Sequence, residues 1–327
     1  MKKNAGMVEP DLDPMTRLVR IGGDEVLDRG DIEVLETPDG YRLRTGVFLP
    51  RRKAIGTFLL LHGYTEFIEK YAEVIDELLK RKYAVVTFDW RGQGLSDRTL
   101  DPASDRHQRG FVEDFSHYAD DADLVYHVRM KDLPQPHYIL GHSMGGHMAL
   151  RILEERPYRF EKAVLSAPMV GFVVNIPLPG VVRMAHAMVL VGRGDEYAPH
   201  STDFDPDNPI NMVTSDEERW QRSLAYWIAE PRLVTHGVTW RWLYEAGRSM
   251  RRIARRDRLA RLITPTLLAS AGVDLIVSSE AQVELANRSY PITLSRFPTA
   301  MHEILMETDE ILFDFWQRFD GFLAKPV

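Results

Sequence analysis

Five short apolar runs set the main constraint on this chain: TFLLL at 57–61, YAVVTF at 83–88, HYILG at 137–141, EKAVLS at 161–166 and TLLASA at 266–271. Each has the length and β-branched content of a strand buried on both faces. Between them, 67–80, 114–131 and 144–155 carry apolar residues at helical spacing. Strand, helix, strand at these lengths predicts right-handed crossovers and a mostly parallel sheet with helices on its faces, an α/β fold. The earliest runs, 32–36 and 41–49, flank Pro38-Asp39-Gly40 and read instead as an antiparallel hairpin.

The alternation breaks after Ala167 and resumes near Pro265. The interval holds four of the six tryptophans and is rich in Pro, Met and Arg. This organisation predicts an N-terminal extension at 1–30, a core built from 31–166 and 241–327, and an inserted cap or lid at 167–240. At 327 residues, the chain has room for one large α/β domain with an insertion. It contains no cysteine, which removes disulfides, thiolate nucleophiles and Cys-ligated zinc from consideration. Two lysines near the N-terminus have no apolar run behind them, so no secretory signal is expected. The most apolar long stretch, 168–191, is broken by Pro177, Pro179, Gly180, Arg183 and His186, which argues against a spanning helix. The expected location is the cytoplasm, with peripheral contact at the inner face of the membrane. A net charge of −7 makes a nucleic-acid partner a poor expectation. The one basic run, from Arg248 to Arg261, could attract anionic headgroups. Glu245 and Asp257 dilute it, and a solvated helix face is the plainer reading.

Gly141-His142-Ser143-Met144-Gly145 is a G-x-S-x-G pentapeptide following the run HYIL and opening the helical pattern of 144–155. That context is what a nucleophile elbow requires: a sharp strand-to-helix turn that strains the serine backbone, with glycines where neighbouring chains press close. A serine hydroxyl is a weak nucleophile and needs a base, itself oriented by an acid. In the chain order Ser, Asp, His, the candidates downstream at strand ends are Asp274, after PTLLASAG, and His302, after ITLSRF. His186, His200 and His236 follow no core strand and read as surface or cap residues. Oxyanion donors are expected from the backbone amides of Met144, next to the nucleophile, and Tyr64, in the loop after the run at 57–61. Asp89 and Arg91 are expected to brace the glycine-rich loop at 89–96. No metal or cofactor is called for.

With these pieces in place the sequence resembles the α/β-hydrolase superfamily, and more narrowly its bacterial lysophospholipase and monoacylglycerol lipase branch. The likeness runs from about residue 32 to the end of the chain. It rests on LHGYTE at 61–66, FDWRGQGLS at 88–96, FVEDFSHYADD at 111–121, GHSMGG at 141–146, LSAPM at 165–169 and MHEIL at 301–305. The resemblance implies Ser143 as nucleophile, Asp274 as acid, His302 as base, the Tyr64 and Met144 amides as oxyanion hole, and the insertion as an acyl-binding lid. It also implies a polar headgroup pocket of Glu66, Lys70 and His142, with Lys70 standing where an arginine is usual. In the insertion, Phe172, Ile176, Met184 and Met188 are candidate acyl-chain contacts, methionine adapting to variable chains.

The expected activity is therefore hydrolysis of lipid-like carboxylic esters, lysophospholipids or monoacylglycerols, through an acyl-enzyme. The same scaffold also serves short-chain carboxylesterases, acyltransferases, peptidases and cofactor-free haloperoxidases, because fold does not fix function. A non-enzymatic binding module and a metal hydrolase are the remaining alternatives. The first is disfavoured by the Ser, Asp and His order, the second by the lack of an H-E-x-x-H pattern.

Overall fold

A computed structural model describes residues 13–101, 104, 106–174 and 178–326. Eight strands form one sheet: β1 (Gly30–Glu36), β2 (Arg42–Phe48), β3 (Thr57–Leu61), β4 (Ala84–Phe88), β5 (His137–His142), β6 (Lys162–Ser166), β7 (Thr266–Ala271) and β8 (Ile292–Phe297). Their spatial order is β1-β2-β4-β3-β5-β6-β7-β8. The β1–β2 hairpin and the β2–β4 pair are antiparallel, and every other neighbour is parallel. The fully buried strands are those that read as continuous apolar runs, while β1 alternates between half-buried and exposed positions as an edge strand should. The sheet therefore has the expected α/β topology, with the C-terminal ends of β3, β5, β7 and β8 along one edge.

The helices are α1 (Ala72–Lys80), α2 (Ser116–Val125), α3 (Ser143–Glu155), α4 (Leu178–Leu190), α5 (Glu217–Ala229), α6 (Trp240–Ile253), α7 (Arg256–Leu259), α8 (Ser279–Arg288) and α9 (Asp309–Leu323). Four of them, α4 to α7, lie between β6 and β7. Polar side chains set their starts: Asp216 accepts from the Arg219 amide at α5, and Thr239 from the Trp242 amide at α6. α4 lies so close on α6 that a Cβ at Gly247 would approach Val182 Cγ2 to 2.2 Å. No helix among the described residues is long and apolar enough to cross a membrane.

The described part of the segment read as an extension, 13–30, is packed onto the body. Met15 and Leu27 are buried, the Tyr226 hydroxyl of α5 donates to buried Asp24 at 2.6 Å, and β1 begins at Gly30. The basic run also differs from a merely solvated face. Arg252 and Arg258 bind the buried Glu154 carboxylate of α3, Arg252 reaches Glu155 at 2.6 Å, and Arg261 donates to the Glu154 carbonyl. These pairs lash α6 and α7 to the helix that carries Ser143.

A buried ion cluster fixes the glycine-rich loop. Arg44 on β2 donates to both Glu69 oxygens at 2.7 Å and to Asp89 at 2.8 Å, with all three side chains fully buried. Asp89 also accepts from the amides of Ile68 and Leu95. Burial opposes the Arg44 charge, but the two carboxylates outweigh it and hold the guanidinium above its ordinary pKa. Gly94 sits at φ +52°, and a Cβ there would strike the Asp89 carboxyl carbon at 2.2 Å, so the loop has no room for a side chain. Asp89 thus braces the loop as expected, through an arginine that nothing in the local sequence singles out. Arg91, the loop's other expected brace, is clamped by Asp121 and Asp39. Replacing Arg44 with Met would strand two buried carboxylates. Urea unfolding should report a loss of about 3–5 kcal/mol, whereas a loss below about 1 kcal/mol, as for a surface pair, would refute the cluster's structural role.

Candidate active site

β5 leads directly into α3, and Ser143, the first residue of that helix, takes φ +50°. An L-residue adopts this left-handed conformation only at a cost of about 1–3 kcal/mol, which the surrounding packing must hold in place. The flanking glycines show how it is held. A Cβ at Gly145 would lie 2.2 Å from the Leu61 carbonyl oxygen of β3, and one at Gly141 would lie 2.6 Å from the Gly145 carbonyl oxygen. Only glycine lets the helix start dock this closely on the neighbouring strand. The turn lifts the serine hydroxyl above the strand ends.

Asp274 follows β7, and His302 follows β8, as the chain order predicted. His302 Nε2 lies 2.9 Å from Ser143 Oγ, and His302 Nδ1 lies 2.7 Å from Asp274 Oδ2. The second Asp274 oxygen accepts from the amides of Ile276 and Val277, each at 2.9 Å. Burial would raise the Asp274 pKa, but the His302 hydrogen bond and the two amides outweigh it and hold the carboxyl below its ordinary value. An ionised Asp274 accepts the Nδ1 proton, which leaves Nε2 free to accept from the serine hydroxyl. The structure therefore brings all three sequence candidates into one hydrogen-bonded line. Ser143 and His302 are both buried, and the Val273 amide, donating to the Ala300 carbonyl, joins the acid loop to the base loop.

Tyr64 follows β3. Its hydroxyl donates to the Gly237 carbonyl at 3.1 Å and its ring packs on Trp242 at 4.6 Å between centroids, so the side chain contacts the β6–β7 interval. The amides on either side of it are engaged: Gly63 N donates to Glu66, and Thr65 N donates to Gln93 at 2.8 Å. Met144 sits at the start of α3, its sulfur facing the Gln93 amide group at 3.8 Å.

Glu66, Lys70 and His142 also come together, and Glu303 joins them. Lys70 Nζ lies 3.0 Å from Glu66 and 2.5 Å from Glu303, and Tyr71 donates to Glu66 at 2.7 Å. Burial opposes every charge here. The ammonium between two carboxylates nonetheless has its pKa raised and Glu66 is held low, while burial prevails at Glu303 and pushes it up. Glu303 lies beside His302 in MHEIL, but its pairing with Lys70 links positions 233 residues apart and leaves no local sequence signal. His142 donates Nδ1–H to the Ser166 carbonyl at 3.1 Å, and its ring centre is 4.8 Å from that of His302.

The candidate acyl contacts divide. Phe172 is half-buried with its ring 6.5 Å from that of Trp242, and Met188 packs beside Ala185 and Trp240. Met184 is exposed on α4. Ile176 lies outside the described residues. Of the competing histidines, His186 stacks on Tyr244 and His236 bonds the Thr202 carbonyl, both partners within the β6–β7 interval.

The sheet, the elbow and the hydrogen-bonded Ser, His and Asp define an α/β-hydrolase. Residues 52–309 match the family model of the S33 serine aminopeptidases, Hydrolase_4, and the chain belongs to that family. Among its relatives, lysophospholipase L2 of Escherichia coli K12 is 30% identical over 268 residues, 76% of this chain and 74% of that protein. A monoacylglycerol lipase of Mycolicibacterium smegmatis is 25% identical, covering 84% of this chain and 90% of the relative. A soluble variant of Saccharomyces cerevisiae monoglyceride lipase, solved with a substrate analogue, superposes with a TM-score of 0.71 over 90% of this chain and 95% of its own at 18% identity, a likeness of fold.

Burial lowers the pKa of His142 to about 4, with the neighbouring His302 and Lys70 reinforcing it against Glu66. An unfolded histidine protonates near pH 6.5. Between about pH 6.5 and 4 the unfolded chain gains a proton at this position that the folded chain refuses, so His142 destabilises the fold progressively as pH falls. Relative to His142→Gln, the wild type should lose about 1.4 kcal/mol per pH unit across that window. Parallel pH dependences by chemical denaturation would show that His142 is not held neutral.

Proposed function

We propose that this protein hydrolyses carboxylic esters of single-chain lipids, lysophospholipids or monoacylglycerols, through an acyl-enzyme on Ser143. The observation that carries the reading is the line from Ser143 Oγ through His302 to Asp274, with 2.9 and 2.7 Å steps. As Ser143 attacks the ester carbonyl, His302 Nε2 takes its proton and Asp274 steadies the imidazolium. The carbonyl oxygen becomes an oxyanion held by the Met144 and Tyr64 amides. The start of α3 directs its amide dipoles there. For Tyr64, support comes from the engagement of the flanking Gly63 and Thr65 amides elsewhere, which leaves the middle amide of that loop as the donor. His302 then protonates the leaving alcohol, and water repeats the sequence on the acyl-enzyme.

The substrate class is supported by the relatives named for lysophospholipid and monoacylglycerol chemistry. A peptidase reading is favoured only by the family's name. We assign 167–240 as the cap over a core of 31–166 and 241–327, with 1–30 as the N-terminal extension. Phe172, Ile176, Met184 and Met188 are assigned to the acyl chain. Glu66, Lys70 and His142 are placed at the headgroup side, where Lys70 is already shared between two carboxylates. The cap also presents exposed apolar side chains: Met184 and Leu190 on α4 and Val191 just after it. Such a surface suits peripheral contact with the inner face of a membrane, from which single-chain lipids are drawn. We assign the protein to the cytoplasm.

Ser143→Ala should keep the fold and lose esterase activity, and Asp274→Asn should lower kcat about ten-thousandfold. Both are measured on lysophosphatidylcholine, monoacylglycerols and short nitrophenyl esters side by side. Wild-type rates in the Ser143→Ala protein would sink the assignment, and turnover confined to the short esters would remove the lipid substrates. For the membrane contact, Met184→Asp with Leu190→Asp should reduce co-sedimentation with lipid vesicles while sparing nitrophenyl ester turnover. Unchanged sedimentation would reject that surface.

A further inference from the structure

The turn carrying His302 is tied to the β6–β7 interval through one buried carboxylate. Glu307, five residues after His302, is fully buried and faces no cation with its carboxyl oxygens among the described residues. Instead it gathers hydrogen-bond donors from two directions. Oε1 accepts from the Met301 amide at 2.7 Å, immediately before His302, and from the Ser215 amide at 3.3 Å. Oε2 accepts from the Ser215 hydroxyl and from the Thr308 amide at 3.2 Å. Two further bonds run beside it: the Glu303 amide donates to the Val213 carbonyl, and the Thr214 hydroxyl to the Met306 carbonyl, both at 2.7 Å. Arg219 of α5 closes the seam by donating to the Glu307 carbonyl and binding Asp309.

A carboxylate accepts at both oxygens and donates at neither, so Glu307 satisfies donors from both segments at once. A carboxamide could not, because its NH2 has no lone pair to offer and would strand the Thr308 amide in one orientation, or the Met301 and Ser215 amides in the other, although the Ser215 hydroxyl could turn to accept from it. We infer that Glu307 is a positioning residue: it sets the turn that aims His302 Nε2 at Ser143 and couples that aim to segment 213–216, which leads from the α4 region into α5. A shift of this segment moves the base through Ser215. The effect belongs to the chemical step, since among the described residues the hydrogen bonds of the Glu307 carboxylate and the Ser215 side chain go to neither Ser143 nor Glu66, Lys70 or His142. Misplacing a reacting group by a fraction of an ångström costs rate steeply, while substrate affinity is set elsewhere.

The inference rests on His302 acting as the general base. Steady-state kinetics on a nitrophenyl ester, with Glu307→Gln, Ser215→Ala and the double variant, test it. Each is assayed at a temperature at which its circular dichroism matches the wild type. Glu307→Gln should lower kcat about ten- to a hundredfold and leave KM within about twofold. Ser215→Ala should lower kcat by a smaller factor, and the double variant should fall no further than Glu307→Gln alone, because both changes break one linkage. Three results would overturn the inference: kcat of Glu307→Gln within about twofold of wild type, a loss carried by KM, or factors that multiply in the double variant. If Glu307→Gln does not fold, Ser215→Ala decides alone, and an unchanged kcat there rejects the coupling. A wild-type protein inert on every ester would instead overturn the reading of His302 itself.

Discussion

The rest of the molecule depends on the close docking of the α3 start against β3. Gly145 presses on the Leu61 and His62 carbonyls so tightly that no Cβ fits, and this contact holds Ser143 at φ +50°. Local strain of about 1–3 kcal/mol has to be carried by surrounding order, and the order is visible on every side. Apolar strands clamp β5 in the sheet, and arginines from α6 and α7 grip Glu154 at the far end of α3. The elbow is thus a consequence of the parallel sheet, and the site is a consequence of the elbow.

Charge is handled in two distinct ways around this centre. The Arg44, Glu69 and Asp89 cluster is fully buried and internally paired, and its work is to shape the loop at 89–96. Glu66, Lys70 and Glu303 form a second cluster next to the base, with two carboxylates around one ammonium. The first likewise sets two carboxylates around one cation, and the backbone amides of Ile68 and Leu95 take up further Asp89 lone pairs. The second adjoins the base directly, since Glu303 follows His302 in the chain and the His142 ring lies 4.8 Å from that of His302. Buried ion pairs of this kind are weak contributors to stability but strict about geometry.

Much of this was legible in the sequence because local physics dictated it. Continuous apolar runs of five or six residues between longer helical patterns suit strands buried on both faces, and G-x-S-x-G between a strand and a helix has few structural solutions. Asp274 and His302 were accessible for the same reason, since each follows a strand run and strand ends share an edge. What escaped was long-range and polar. Arg44 lies in the hairpin strand with no feature to mark it, and its partners are 25 and 45 residues away. The bond between Ser215 and Glu307 spans 92 residues. Arg252, Arg258 and Arg261 read as a solvated face because nothing in the run itself reveals the buried Glu154 opposite. Periodicity reports which face of an element is buried, but not which charge waits on the other side.

The central claim is that the turn at residue 143 makes one serine nucleophilic. Treating the folded protein with a fluorophosphonate and mapping the adduct by peptide mass spectrometry measures this directly. A single adduct on Ser143, abolished when His302 is replaced by Ala, is the result this geometry predicts. No adduct, or one on another residue with Ser143 unmodified, would contradict it.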